Sequence, residues 1–255
     1  MHNTIEKKGL SKSALQTIAI IAMVIDHLAQ FTTNIYLYYI MKLIGRITIV
    51  IMCYFVAEGY YKTSNIGRYL LRLGIFAAIS QIPYYLMIRH GNFPNGILPL
   101  GYSIFMNRNV IFTLFVGLAL LAIIKSDSTI SLKIISAAAA LWLVRCSDWG
   151  YSAVLWIVGF GVFHDSINKQ NMWFSLVLGL KILITAVRII LNVLSTRSLL
   201  YSTLFGFIAM FGGFFALPLI SAYNGERGKA PKWVFYIFYP THMLLIAIIY
   251  ILLMK

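Results

Sequence analysis

The chain is 255 residues long, 60% hydrophobic and only 11% charged, with a mean hydropathy of +0.84. Average soluble domains carry roughly a quarter charged residues, so this composition excludes a cytosolic enzyme, a secreted domain and a disordered chain, and leaves an integral membrane protein. The net charge of +14 invites a nucleic-acid reading, but no polar basic domain exists to carry one, and basic residues also gather in the cytoplasmic loops of membrane proteins.

In chain order, apolar runs predict membrane spans over 14–34, 37–61, 68–90, 109–125, 130–146, 149–163, 172–192, 199–220 and 233–253. A spanning helix takes about 20 residues, so nine would use roughly 180 and leave no room for a soluble domain. The expected fold is all-α, a polytopic bundle of about nine spans forming one integral-membrane domain over residues 1–255. The first run follows Lys7, Lys8 and Lys12, as in a signal peptide. Asp26 and His27 interrupt it and no small-residue cleavage site follows, so it reads as a retained helix. The 149–163 run is short for a full crossing and suits a re-entrant segment. The longest loop, 91–108, holds Gly91, Pro94, Gly96, Pro99 and Gly101.

Loop charge sets the expected orientation. With the N-terminus cytoplasmic, the inner segments hold Lys7, Lys8, Lys12, Lys62, Arg68, Arg72, Lys125, Lys133, Lys169, Arg227, Lys229 and Lys232. The outer ones hold Lys42, Arg89, Arg108, Arg145, Arg197 and Lys255, half as many. The two cysteines, Cys53 and Cys146, lie in apolar runs, and neither a disulfide framework nor a metal site is expected.

An ionisable side chain deep in a span costs about 2.5–3.5 kcal/mol on insertion scales, and persists where it faces an interior or a cavity. Asp26, His27, Arg46, Lys181, Arg188 and His242 meet that description, and Glu58 lies nearer a span end. At about 1.5 Å per residue, His27 lies roughly 20 Å from the inner start of its run, and His242 and Lys181 roughly 14 Å. Arg46 descends a similar distance from the outer side. These depths suggest a polar layer.

Asp26 and His27 are neighbours and point about 100° apart on a helix, so Asp26 is poorly placed to orient the His27 ring. Asp26 is expected to pair with Arg46 instead, leaving His27 as a general base near neutral pH. Glu58 can pair with Lys62, four residues on. Lys181 and Arg188 can snorkel.

These residues sit in recognisable surroundings. The first span reads A-L-Q-T-I-A-I-I-A-M-V-I-D-H-L, ending at Leu28. The second carries I-G-R at Ile44–Arg46 and F-V-A-E-G-Y-Y-K-T-S-N from Phe55. Then come R-Y-L-L-R-L from Arg68, S-Q-I-P-Y-Y from Ser80, R-N-V-I-F-T-L from Arg108, D-W-G-Y-S-A-V-L from Asp148, and K-W-V-F-Y-I-F-Y-P-T-H from Lys232 to His242. From about Leu15 to Leu245 the chain resembles the TraX family, known best for a plasmid-encoded pilin acetylase. The glutamate–glycine pair and the Asp-Trp-Gly stretch are more similar to the family's chromosomal relatives.

The resemblance implies a polytopic acetyltransferase of the bacterial inner membrane that uses acetyl-CoA, needs no metal, and acts on a pilin-like protein, a glycan or a small molecule. For that chemistry, catalytic roles are expected of His27, Asp26, His242 and Arg46, and contacts to the acceptor of Glu58, Arg108, Asn109, Asp148 and Lys181. The charge rule places Lys62, Arg68, Arg72 and Lys232 at the inner surface, where they are expected to meet the CoA phosphates. Intramembrane Asp, His, Arg and Lys also build proton relays, so a proton-coupled transporter or flippase is the competing expectation.

Overall fold

A computed structural model describes residues 9–88, 107–196, 201–229 and 233–253. The described residues are helical, with two isolated β-bridges and no strand. The helices are α1 (Lys12–Leu28), α2 (Ile35–Lys62), α3 (Ile66–Ile88), α4 (Val110–Lys125), α5 (Ile130–Val144), α6 (Gly150–Val162), α7 (Ile167–Thr196), α8 (Tyr201–Ala209), α9 (Ala216–Ser221) and α10 (Val234–Leu253). Short 3-10 segments follow α1 (Ala29–Phe31) and join α8 to α9 (Met210–Phe215). Each predicted run has its helical counterpart, shifted by a few residues.

Six segments are long and apolar enough to cross a bilayer: Lys12–Phe31, Ile35–Lys62, Ile66–Ile88, Ile167–Thr196, Thr203–Ser221 and Val234–Leu253. The protein is a helical membrane protein. Helices α4, α5 and α6 have 16, 15 and 13 residues. At 1.5 Å per residue they measure about 24, 22 and 20 Å, short of a hydrocarbon core of about 30 Å. The sequence marked one short segment; three are short.

The chain divides into two compact units, Met1–Met52 with Leu178–Lys232, and Cys53–Val177 with Trp233–Lys255. In the first unit, α1 and the early part of α2 run antiparallel. Thr48 Oγ1 donates to the Ala19 carbonyl at 2.9 Å, and six residues earlier Lys42 reaches the Asp26 carbonyl. Ser11 caps α1 by accepting from the Ala14 N–H. The strand-like stretch before α1 is clasped by the 222–227 loop: Leu10 N–H donates to Ala222 O, Asn224 N–H to Leu10 O, and Lys12 N–H to Glu226 O. The 3-10 segment Met210–Phe215 interrupts a membrane-length helix where Gly212 rests on the backbone carbonyl of Leu43, and a Cβ there would collide with it. That contact requires glycine.

In the second unit the three short helices share two layers. At one end, Arg108 N–H donates to Cys146 O, Asp148 N–H to Arg108 O, and Thr113 Oγ1 to Asp148 O. These bonds bring the start of α4 to the α5–α6 turn. Asn109 also bonds Ala77 O, midway along α3, while Tyr239 of α10 accepts from Val110 N–H. Helix α3 continues eleven residues past Ala77, and α10 fourteen past Tyr239. The layer holding Arg108, Asn109 and Asp148 therefore lies partway down between longer helices. At the opposite end, Tyr61 of α2 bonds Gly161 O on α6, and Lys125 of α4 lies 5.8 Å from the Tyr61 ring centroid.

The two kinds of glycine contact give an expected contrast. Gly212→Val should destabilise by about 1–3 kcal/mol through overpacking on Leu43. Gly179→Ala, at a helical position with nothing within 4 Å, should be neutral or stabilise by up to about 1 kcal/mol. Thermal denaturation in detergent reads both. Equal midpoints for the two variants would contradict the Gly212 contact.

Candidate functional site

In the first unit, Asp26 and His27 occupy the last turn of α1, about 22 Å from its start. That is nearer the far end of the Lys12–Phe31 segment than its middle. The expected partner of Asp26 was Arg46. The ion pair in the structure is with Lys42, one helical turn earlier on α2, whose Nζ lies 3.1 Å from Asp26 Oδ2 and 2.9 Å from the Asp26 carbonyl oxygen. Lys42 was counted among outer loop charges. It instead sits seven residues inside α2, with its ammonium also 5.7 Å from the Tyr38 ring centroid.

Gly45 explains how the carboxylate reaches this position. A Cβ on Gly45 would overlap the Asp26 side chain, so the glycine of the I-G-R motif provides the volume the carboxylate occupies. His27 Nδ1 lies 3.8 Å from Asp26 Oδ2. That is too long for a hydrogen bond, as the neighbour geometry implies, but close enough for the charge to be felt. The side chains of Asp26, His27 and Lys42 are only 20%, 14% and 16% exposed. Arg46 is half-buried one turn further along α2, and Lys181 is half-buried on α7.

The second unit holds His242 on α10. Its Nδ1 is 2.7 Å from the Phe238 carbonyl oxygen, and its ring stacks on Phe238 at 4.6 Å. A carbonyl can only accept, so Nδ1 carries the proton and the neutral ring has its lone pair on Nε2. His242 is 6% exposed. Asn109 is fully buried and caps α4 through Oδ1, which accepts from Phe112 N–H. Its Nδ2 donates to Ala77 O and Gln81 Oε1, and its N–H also donates to Gln81 Oε1. Arg108 donates from Nη1 to Leu143 O and packs over Phe112. Asn109 and Arg108 therefore organise this layer with their own hydrogen bonds. Between Asp148 and α6, Trp149 adopts a left-handed φ of +61°, a conformation rare for a residue with a Cβ.

The Lys62 end of α2 holds a third cluster. Glu58 is buried and accepts from Lys62 at 2.8 Å, the expected i,i+4 pair. Its other oxygen is 2.9 Å from His164 Nε2. His164 lies in the turn between α6 and α7, stacked on Tyr61 with ring centroids 3.9 Å apart, and its Nδ1 is 3.4 Å from Asp165. Gly59 leaves room beside Glu58 for the Tyr69 ring. Of the cations expected to meet CoA, Arg68 is exposed, while Arg72 packs over Tyr69 and bonds the Tyr236 phenol. Lys232 lies outside the described residues. Among the described residues no three His, Cys, Asp or Glu side chains gather as a metal site. Both cysteines are free thiols.

Sequence reasoning missed Lys42 and His164. Lys42 stands four residues before Arg46 and so shares a helical face with it, a signal that places both near Asp26. His164 sits in a loop, where a histidine carries no burial cost and draws no notice.

Residues 11–250 match the family described as TraX protein. The chain belongs to the TraX family. A relative from Dichelobacter nodosus, described as a probable fimbrial assembly protein FimC of serogroup H1, is 30% identical over 237 residues, covering 91% of this chain and 92% of the relative. No solved structure matches. In this TraX protein the motif residues do differing work: I-G-R supplies the glycine under Asp26, and R-N-V supplies the cap of α4.

Asn109→Ala should therefore act on stability with no ligand present, since it removes a helix cap and leaves the Ala77 carbonyl without its side-chain donor. The expected cost is about 1–3 kcal/mol, read as a lower thermal midpoint of the purified protein. An unchanged midpoint would return Asn109 to a purely ligand-directed role.

Proposed function

We propose that this TraX-family protein is a membrane-embedded acetyltransferase. It takes acetyl groups from cytosolic acetyl-CoA and delivers them to an amine or hydroxyl of an extracytoplasmic or membrane-associated acceptor. The observation that carries the reading is a histidine, His27, held with Asp26 and Lys42 inside a membrane segment, where such groups are costly and serve chemistry or transport. The relative from Dichelobacter nodosus is named for fimbrial assembly, which favours a pilin-like acceptor over a small molecule. We place the protein in the bacterial inner membrane with its N-terminus cytoplasmic, the orientation favoured by the loop charges.

In this mechanism His27 takes the proton from the acceptor N–H or O–H as that atom attacks the thioester carbonyl. The tetrahedral oxyanion collapses, the C–S bond breaks, and the departing CoA thiolate takes up the proton from the imidazolium. A variant route passes the acetyl group through the His27 ring nitrogen. Arg46 stabilises the oxyanion. His242, with its lone pair on Nε2, handles the acceptor proton or hydrogen-bonds the acceptor. Asp148, Glu58 and Lys181 orient the acceptor. Exposed Arg68 is the preferred contact for the CoA phosphates, with Lys62 and Lys232; the engagement of Arg72 by Tyr69 and Tyr236 makes it the weaker candidate.

The 3-10 break at Met210–Phe215 supports a second reading. Interrupted helices are common in transporters, and a proton-coupled transporter or flippase would use the same buried charges. Uptake into proteoliposomes without any acyl donor distinguishes it.

Purified protein given labelled acetyl-CoA and a pilin-derived peptide or a glycan acceptor should transfer label. His27→Gln should lower turnover by about 100-fold or more, the scale of a lost general base, with an unchanged thermal midpoint. Retained turnover in that variant would remove His27 from the mechanism, and label transfer by neither protein to any acceptor would count against the acetyltransferase.

A further inference from the structure

Helix α3 carries Arg68, Arg72 and Phe76 at four-residue spacing, which sets them along one face over about two turns. Arg68, nearest the helix start, is exposed. Arg72 packs over the Tyr69 ring at 5.5 Å and donates to the Tyr236 phenol, which fixes its charge in one place. Phe76, a turn further in, meets two rings at the start of α10. Its centroid lies 4.9 Å from Tyr236 and 6.1 Å from Trp233, and those two lie 5.8 Å apart. All of these residues belong to the second unit. One face thus grades from guanidinium groups into an aromatic trio.

Trp233 is the open member of that trio. It is 48% exposed, while Phe76 and Tyr236 are half-buried. Among the described residues its ring neighbours meet it at 44° and 58°, so neither covers the flat face of the indole. A tryptophan that only anchors a helix end sits level with the membrane interface. Trp233 instead packs against Phe76, which stands ten residues past the start of α3, about 15 Å along it.

An open indole face bordered by cations suits a flat base joined to phosphates. Stacking on an aromatic side chain contributes about 1–3 kcal/mol per base, and guanidinium groups match phosphate oxygens with paired N–H donors. CoA has that form, with adenine joined through ribose to a 3′-phosphate and a pyrophosphate. A lipid headgroup offers phosphate without a base.

We propose that Trp233, with Phe76 and Tyr236 beside it, is the adenine seat of the acetyl donor, and that Arg68 meets the donor's phosphates. Arg72 holds Tyr236 within the trio. The inference rests on the acetyl-CoA reading above and sharpens it. The donor is free CoA thioester, because a phosphopantetheine thioester carried on a protein has no adenine to seat.

The test measures binding to the full-length protein in detergent by calorimetry. Its probes are CoA, adenosine 3′,5′-bisphosphate (the nucleotide end of CoA) and 4′-phosphopantetheine (the other end). CoA should bind saturably, the bisphosphate should compete with it, and 4′-phosphopantetheine should bind about tenfold more weakly or worse. Trp233→Leu should weaken CoA and the bisphosphate by about tenfold, the loss of one stacked base, and leave 4′-phosphopantetheine unchanged. Trp233→Phe keeps a ring and serves if the leucine variant does not fold. It should bind CoA while losing the quenching of tryptophan emission that CoA causes in wild type. Equal CoA affinity in wild type and Trp233→Leu, or quenching that persists in Trp233→Phe, would overturn the proposal. Trp233 would then be an interface anchor, with the donor reading untouched. Binding of neither CoA nor the bisphosphate to wild type would remove both the seat and the acetyl-CoA reading. Nucleotide binding through Trp233 with no acetyl transfer to any acceptor would keep the seat and remove the acetyltransferase.

Discussion

A charge inside an apolar segment must find its partner within the protein, and in the first unit the Asp26–Lys42 pair meets that constraint. Its geometry sets the spacing of α1 against α2. Gly45 exists at the contact because any side chain there would displace the carboxylate. Gly212 extends the same logic to the next element, where only a residue without a Cβ lets the broken helix touch the backbone at Leu43. The carboxylate oxygen that meets Lys42 also lies 3.8 Å from His27 Nδ1, so the pair sets part of the surroundings of that ring.

The second unit meets the same constraint at its polar layer with neutral hydrogen-bonding groups. Its three short helices end partway along α3 and α10, and each exposed helix end must satisfy orphaned N–H and C=O groups. Asn109, Gln81, Thr113 and the Tyr239 phenol do this work. Asn109, read from the sequence as an acceptor contact, also caps α4 and ties its start to α3. Arg108 follows the same pattern, spending its guanidinium on a carbonyl and an aromatic ring. At the far end, Glu58 is shared by Lys62 and His164, which joins the α6–α7 turn to α2.

Much of this was legible from residue type alone. Apolar runs disclose helices because burial in lipid tolerates little else, and each run has its helix. The weight of Asp26, His27, Arg46 and His242 was legible because such side chains are expensive in those runs. Partner choice was not. Helical periodicity places Lys42 and Arg46 on one face, and only the register between α1 and α2 decides which one meets Asp26. The 3-10 interruption at Met210–Phe215 was hidden because Phe and Met around Gly212 and Gly213 keep the run apolar throughout. His164 was hidden because a loop histidine becomes informative only once Glu58 and Tyr61 are seen around it.

The central claim is that these buried polar groups serve transfer from acetyl-CoA, and ligand binding to the folded protein tests it most directly. A ligand that binds the native state alone raises stability by mass action, by about 2.7 kcal/mol at a hundredfold excess over its dissociation constant. The account expects CoA to raise the thermal denaturation midpoint of the purified protein in a concentration-dependent, saturable way, and expects Arg68→Ala to weaken that rise. No shift at saturating CoA would contradict it.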